Sequence, residues 1–225
     1  MNADPVLQKI LICAIAILIL VPEVSLSGQG RQDPIAEKIL SDIGSRYKKL
    51  PGFRAEFSRE SQNNTGDTQS KTKGNILVSG SRYRLQTGNT TLFCDGKTVW
   101  TADRKIREIS IADYSPGSDD ITPEKIYTFY SKGYKYIFLG EVKKGNSVWQ
   151  TIDLEPEDSG KEISKIRLFV DKKSLEIKKW IVFERGTNDR EEFVVDKFTR
   201  LKTKPEKEIL FQKTDFPGYK IVDLR

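Results

Sequence analysis

From residue 53 onward the chain is cut into short runs rich in β-branched and aromatic residues, separated by turns of Gly, Asn, Asp and Lys. This punctuation confines the fold to mainly antiparallel β-structure, because connections so short join neighbouring strands and leave no room for crossover helices. The clearest unit is Leu92-Phe93-Cys94-Asp95-Gly96-Lys97-Thr98-Val99-Trp100, in which Asp95-Gly96 forms a hairpin turn between two apolar runs. Phe53, Ala55 and Phe57 alternate with polar residues as in a half-buried strand. A meander is predicted over 74 to 79, 82 to 87, 90 to 94, 97 to 102 and 106 to 112, and longer strands over 134 to 143, 147 to 155, 163 to 171, 175 to 184, 190 to 200 and 208 to 213. A sheet of about a dozen antiparallel strands curls into a barrel or splits into a sandwich. No fixed repeat is visible, so a propeller or solenoid is not expected.

Helical spacing occurs in two places. Asp33-Pro34 supplies a cap and a first-turn proline, and Ile35, Ile39, Leu40, Ile43, Tyr47 and Leu50 recur on one side before Pro51-Gly52 stops the helix. A second helix is predicted from Thr122-Pro123 to 132, with Ile126, Phe129 and Tyr130 on one side and Gly133 after it. The segment from Asn63 to Ser70 and the interval 113 to 121 read as loops.

Ahead of these elements, Ile10 to Val21 is an unbroken apolar run of 12 residues after Lys9, followed by Pro22 and the small residues Ser25 and Ser27. Such a run is too short to span a bilayer, which takes about 20 residues, and it matches a secretory signal cleaved near Ser27. An uncleaved anchor is the competing reading, since Asp4 makes the leading region less basic than usual. Residues 1–27 are thus expected to be a signal peptide and 28–225 a single exported domain. Beyond the signal only Cys94 remains, so burial and strand pairing must hold the domain together without an internal disulfide. Lys and Arg then number 37 against 30 Asp and Glu, a net charge of +7, once Lys9, Asp4 and Glu23 are removed. Export argues against nucleic acid as partner. The excess is spread along the strands, as on a solvated sheet face or one that meets anionic lipid or an acidic partner.

There is no histidine, which removes the commonest general base and metal ligand together. No phosphate loop or catalytic carboxylate pair stands out, so no catalytic residue, metal or cofactor is assigned, and an enzyme is the weakest of the readings. What is conspicuous is bulk. Large apolar residues recur in nearly every element, and they either fill a core or line an apolar cavity in a curved sheet.

In its order of features the chain resembles the outer-membrane lipoprotein carrier family of LolA-like periplasmic chaperones. The residues that carry the resemblance are the N-terminal helix leading into Gly52-Phe53-Arg54-Ala55-Glu56-Phe57, then Gly74-Asn75-Ile76-Leu77-Val78 with Tyr83-Arg84-Leu85, Asp95-Gly96-Lys97-Thr98-Val99-Trp100, and the closing Pro217-Gly218 with Asp223-Leu224-Arg225. The resemblance implies an incomplete, unclosed antiparallel β-barrel of 11 to 12 strands under a lid of two or three helices. It implies a monomer whose apolar concavity takes the acyl chains of lipoproteins and carries them from the inner to the outer membrane. Its partners would be acylated lipoproteins, an inner-membrane lipoprotein-releasing ABC transporter and an outer-membrane receptor. The alternative is a sensor, or a carrier of another lipid, on the same fold. On this reading the lid contributes Ile35, Ile39, Ile43, Ile126, Phe129 and Tyr130. The sheet contributes Phe57, Leu77, Tyr83, Leu85, Phe93 and Trp100 from its first half, and Tyr136, Phe138, Trp149 and Trp180 from its second. Many relatives tether the lid through an Arg-Pro pair between the strands corresponding to 74–78 and 83–87. Here the stretch is Ser79-Gly80-Ser81-Arg82, and Arg82 is the candidate substitute.

Overall fold

Asp33 does two jobs at the start of the first helix, α1 (Pro34–Lys48). Its Oδ1 accepts the Ile35 and Ala36 N–H groups at 2.8 and 3.2 Å, and its Oδ2 accepts the N–H of Phe138 at 3.0 Å. The computed structural model describes residues 32–115, 127, 133–187 and 189–225. The expected signal and most of the expected second helix, including Ile126, Phe129 and Tyr130, lie outside the described residues. α1 buries Ala36, Ile39, Leu40, Ile43 and Tyr47, the i, i+3, i+4, i+7 stripe of an amphipathic helix. Ile35 falls off that stripe and is 54% exposed.

Twelve strands follow in one sheet. They are β1 (Phe53–Gln62), β2 (Thr68–Ser79), β3 (Arg82–Thr87), β4 (Thr90–Cys94), β5 (Thr98–Asp103), β6 (Glu108–Asp113), β7 (Tyr134–Lys144), β8 (Ser147–Pro156), β9 (Ile163–Asp171), β10 (Ile177–Glu184), β11 (Arg190–Arg200) and β12 (Lys220–Asp223). Their order is β12-β6-β5-β4-β3-β2-β1-β11-β10-β9-β8-β7, so the sheet ends at β12 and β7 and is not closed. All neighbours are antiparallel except β12, which lies parallel to β6. The expected antiparallel, unclosed sheet is therefore observed, with differences at strand ends. β6 and β10 start later than expected because Arg107 and Leu175 adopt left-handed backbone conformations, φ +53° in each, that belong to turns. β2 starts earlier, and its first residues are exposed, so no apolar alternation marks them. The segment expected as a strand over 208 to 213 holds instead the one-turn helix α2 (Glu206–Ile209) and irregular chain, and the twelfth strand is Lys220–Asp223.

The sheet is strongly curled. In a flat sheet β4 and β8, seven positions apart in the strand order, would be separated by about 34 Å at ~4.8 Å per strand. Yet Cys94 of β4 and Ile152 and Leu154 of β8 belong to one buried cluster with Ile39, Leu40 and Ile43 of α1. The inner face thus wraps the helix, as in a partly rolled barrel.

The start of α1 also protects an edge of the sheet. Besides the Asp33 carboxylate, the Asp33 N–H donates to the Tyr136 carbonyl at 3.3 Å, Gln32 Nε2 donates to the Tyr134 carbonyl at 2.9 Å, and Gln32 Oε1 accepts the Tyr136 N–H at 3.1 Å. Polar backbone groups that a neighbouring strand would otherwise satisfy are thereby paired up to Phe138. The Phe138 N–H is the chief cause that holds the Asp33 carboxyl below the ordinary range. A depressed folded-state value stabilises above the unfolded pKa of about 3.9, and that contribution is lost as pH falls through the folded value. Asp33→Ala is expected to lower unfolding free energy by about 1 kcal/mol at neutral pH. In urea titrations at successive pH values, the gap between wild type and Asp33→Asn should close below pH ~4.

The outer face of β1 to β6 is covered by the chain after β11. Register sets Leu77, Arg84, Phe93, Trp100 and Ile111 in one row across β2 to β6 on this face, with Thr91, Ala102 and Ile109 in the row beside it. Ile209, buried in α2, and Phe211 come down on it. Phe211 stacks on Trp100 with centroids 5.4 Å apart and on Phe216 at 5.6 Å, and Phe93 meets both phenylalanine rings edge-on. Arg54 fastens the same segment through Glu208 at 2.6 Å. The aromatic stack carries the chain across the sheet to where β12 joins β6.

Candidate ligand-binding face

Burial falls along the inner face with distance from α1. On β1 the inward series runs from Phe53, buried, to Phe57, half-buried; on β2 from Val78 to Ile76; on β3 from Tyr83 to Leu85; on β4 from Cys94 to Leu92. The cause is length, since a 15-residue helix covers about 22 Å and strands of ten or more residues run past it. The half-buried side chains beyond it are continuous. Leu92 pairs with Leu85, Leu85 with Ile76, and Ile76 with Ala55. Phe57 then pairs with Val195, and Phe193 stacks on Trp180 with centroids 4.8 Å apart and planes 8° apart. Tyr136 and Phe138 extend the belt on β7, beside the start of α1.

Gly74 keeps Phe57 in this belt. A Cβ at Gly74 would approach the Phe57 ring closer than any real contact allows and would sit 2.8 Å from the Gln86 carbonyl, so the ring lies flat across the glycine. Charge marks the far end. Arg59, next inward after Phe57, is held by both carboxylate oxygens of Glu191 and lies 5.9 Å over the Phe193 ring. The Glu191 hydrogen bond is the main cause that raises the Arg59 pKa. The arrangement offers apolar contact with a polar limit, suited to a ligand of hydrocarbon character. Among the described residues no group of three or more Cys, Asp or Glu could hold a metal, and no helix is long and apolar enough to cross a membrane.

The sequence-expected residues divide by face. Ile39, Ile43 and Tyr83 are in the buried core around α1, and Phe57, Leu85, Tyr136, Phe138 and Trp180 are in the belt. Leu77, Phe93 and Trp100 point to the outer face beneath the C-terminal segment, and Trp149 is on the outer face of β8, 6.4 Å from Phe169. Ile35 faces solvent. Arg82 is the exposed first residue of β3, paired with Ser79, and its side chain makes no hydrogen bond or ion pair among the described residues. Sequence reasoning overlooked Ile76, Leu92, Val182 and Val195 as belt positions. It also overlooked Tyr127, whose ring stacks on Tyr47 at 11° and meets Phe53 edge-on at 5.4 Å, at the C-terminal end of α1. Burial is the first cause of the raised pKa of both tyrosines, to about 12 for Tyr47 and well above the ordinary value for Tyr127.

The family model for "Outer membrane lipoprotein carrier protein LolA" matches residues 48–212, well over half of the chain. An uncharacterized conserved protein from Thermus thermophilus superposes with a TM-score of 0.57 at 10% identity, over 83% of this chain and 98% of that one. A chain of the Pseudomonas aeruginosa MucA/MucB complex gives a TM-score of 0.49 at 14% identity, over 80% of this chain and 62% of the other. A LolA superfamily protein from Nitrosomonas europaea gives 0.41 at 10% identity, over 78% and 97%. No curated protein sequence matches the chain. At these identities the structural likeness speaks to fold alone, and the membership rests on the family model over the strands that build the belt: this chain belongs to the LolA outer membrane lipoprotein carrier family.

Proposed function

We propose that the protein is a periplasmic carrier that holds the acyl chains of lipoproteins against the inner-face belt and moves them from the inner to the outer membrane. The observation that carries this reading is the belt itself, a continuous row of inward apolar side chains that α1 leaves half-exposed. Family membership supports the same reading. Residues 1–27 act as the export signal and 28–225 as the carrier domain; α1 and the 123–132 segment, joined through Tyr47 and Tyr127, form the lid. Arg82, exposed at the start of β3, is available to a lid contact. Loading from an inner-membrane ABC transporter and delivery to an outer-membrane receptor complete the cycle, and the protein works as a monomer without cofactor or catalysis.

Energetics set a limit on the site. Complete burial of one 16-carbon chain yields about 13 kcal/mol at ~0.8 kcal/mol per methylene, which already corresponds to nanomolar affinity. A carrier must release, so a belt that keeps part of its ligand in contact with solvent suits the task better than a sealed pocket. Phe57→Asp and Trp180→Asp are expected to weaken a fluorescent fatty-acyl probe at least tenfold in the folded fraction, with a smaller loss of urea midpoint than Ile43→Asp, because both side chains are half-buried where Ile43 is fully buried. Unchanged probe affinity in both variants would sink the reading. Mass spectrometry of organic extracts from the purified protein identifies the cargo, and a free glycerolipid in place of acylated lipoprotein would redirect the proposal to another lipid.

A further inference from the structure

Among the described residues, exposed apolar side chains concentrate on the β7–β8 hairpin. Ile137, Leu139, Val142 and Val148 are 53%, 47%, 45% and 37% exposed, and they make up four of the nine large apolar side chains exposed among the described residues. Their exposure follows from the fold. Among the described residues, Gln32 and Asp33 cover the β7 edge as far as Phe138, and the C-terminal segment covers the outer face of β1 to β6. Val142 is paired with Trp149, whose ring meets Phe169 edge-on, so an apolar outer surface continues from the tip of the hairpin onto β9.

Lysines flank the end of the hairpin. The β9–β10 turn is held beside the hairpin by the Lys172 N–H, which donates to the Val148 carbonyl at 2.9 Å. Lys172 itself is paired with Glu141 at 2.9 Å. Lys143 and Lys144 on the hairpin and Lys173 on the turn are exposed and have no ion-pair partner among the described residues. Val142, opposite Trp149, is on the outer face, and Val148, opposite Lys143, is on the other, so the end of the hairpin carries exposed aliphatic side chains on both faces with unpaired lysines among them. Such an end matches a bilayer with anionic headgroups: the cations meet the surface charge, and the apolar tips reach the boundary of the acyl region.

We propose that the β7–β8 hairpin, with the β9–β10 turn beside it, docks the protein on anionic membranes. The site is separate from the inner-face belt and does not rest on the cargo assignment. The test is co-sedimentation of the purified protein with vesicles of phosphatidylcholine containing 30 mol% phosphatidylglycerol, against vesicles of phosphatidylcholine alone. Binding is expected to the anionic vesicles only and to weaken as salt is raised. At about a fivefold contribution per lysine, Lys143→Glu/Lys144→Glu should lower the partition coefficient at least tenfold. Val142→Asp should lower it as well, with the urea midpoint and acyl-probe affinity of both variants unchanged. No vesicle binding, or binding that the variants leave intact, overturns the proposal. Retention of the wild type on a polyglutamate column without vesicle binding overturns it in favour of an acidic polypeptide. A dimer in sedimentation analysis that Val142→Asp dissolves overturns it in favour of a second copy of the chain.

Discussion

Ile43→Asp is expected to leave no folded domain at 25 °C. Ile43 is fully buried at the centre of α1, in the cluster that joins β2 to β4 with β8 to β10. A carboxylate there has no partner, and the site cannot both shed water and keep the charge. The loss should exceed about 4 kcal/mol, a large part of the stability of a domain this size. Ile35→Asp, off the buried stripe and mostly exposed, should change stability by less than about 0.5 kcal/mol. Urea denaturation followed by tryptophan fluorescence checks both. The comparison matters for the proposed lid, because Ile39 is on the same buried stripe. A helix anchored by Ile39, Leu40 and Ile43 at once is part of the folding core, so a charge on its buried stripe should register in stability before it registers in ligand affinity.

Trp100→Ala is expected to cost about 3 kcal/mol and to leave acyl-probe affinity in the folded fraction unchanged. The ring carries the stack of Phe211 and Phe216, and through them the path of the chain to β12. Without it the C-terminal segment loses its seat on the outer face, and the amides of β12 should exchange hydrogen faster than those of β5. A matched loss of probe affinity would instead place Trp100 in contact with cargo from the far side of the sheet, contrary to its register.

Why the sequence assigned Phe93 and Trp100 to a cavity is clear from their neighbours. Leu92-Phe93-Cys94 is apolar without alternation, because both faces of β4 are buried, one by the inner core and one by the C-terminal segment. Period-2 reasoning identifies a face only where one side is wet. Where that held, as on β1 from Phe53 to Phe57, the inner positions were legible. Strand positions in the two meanders were legible too, because Gly and Asp turns set them. The run from Ile209 to Phe211 looks like a strand in composition but supplies separate plugs for the outer face, a distinction visible only once the partner surface exists. Tyr127 was not legible for a related reason: its neighbours Ile126 and Phe129 carry the helical periodicity, whereas its own role comes from meeting Tyr47 across a gap of 80 residues in sequence.

The central strand pair has a consequence for how the chain reaches its native state. β1 hydrogen-bonds to β2 immediately after it and to β11 on its other side, with Phe53 opposite Arg200. As the chain emerges N-terminus first, the first meander can form early, but one edge of β1 waits until nearly the whole chain is available. Such a non-local closure is slow and leaves an aggregation-prone edge open in the interval. Refolding should therefore be slow for a chain of this length, and truncation before Arg190 should leave a sticky half-sheet instead of a shorter working carrier.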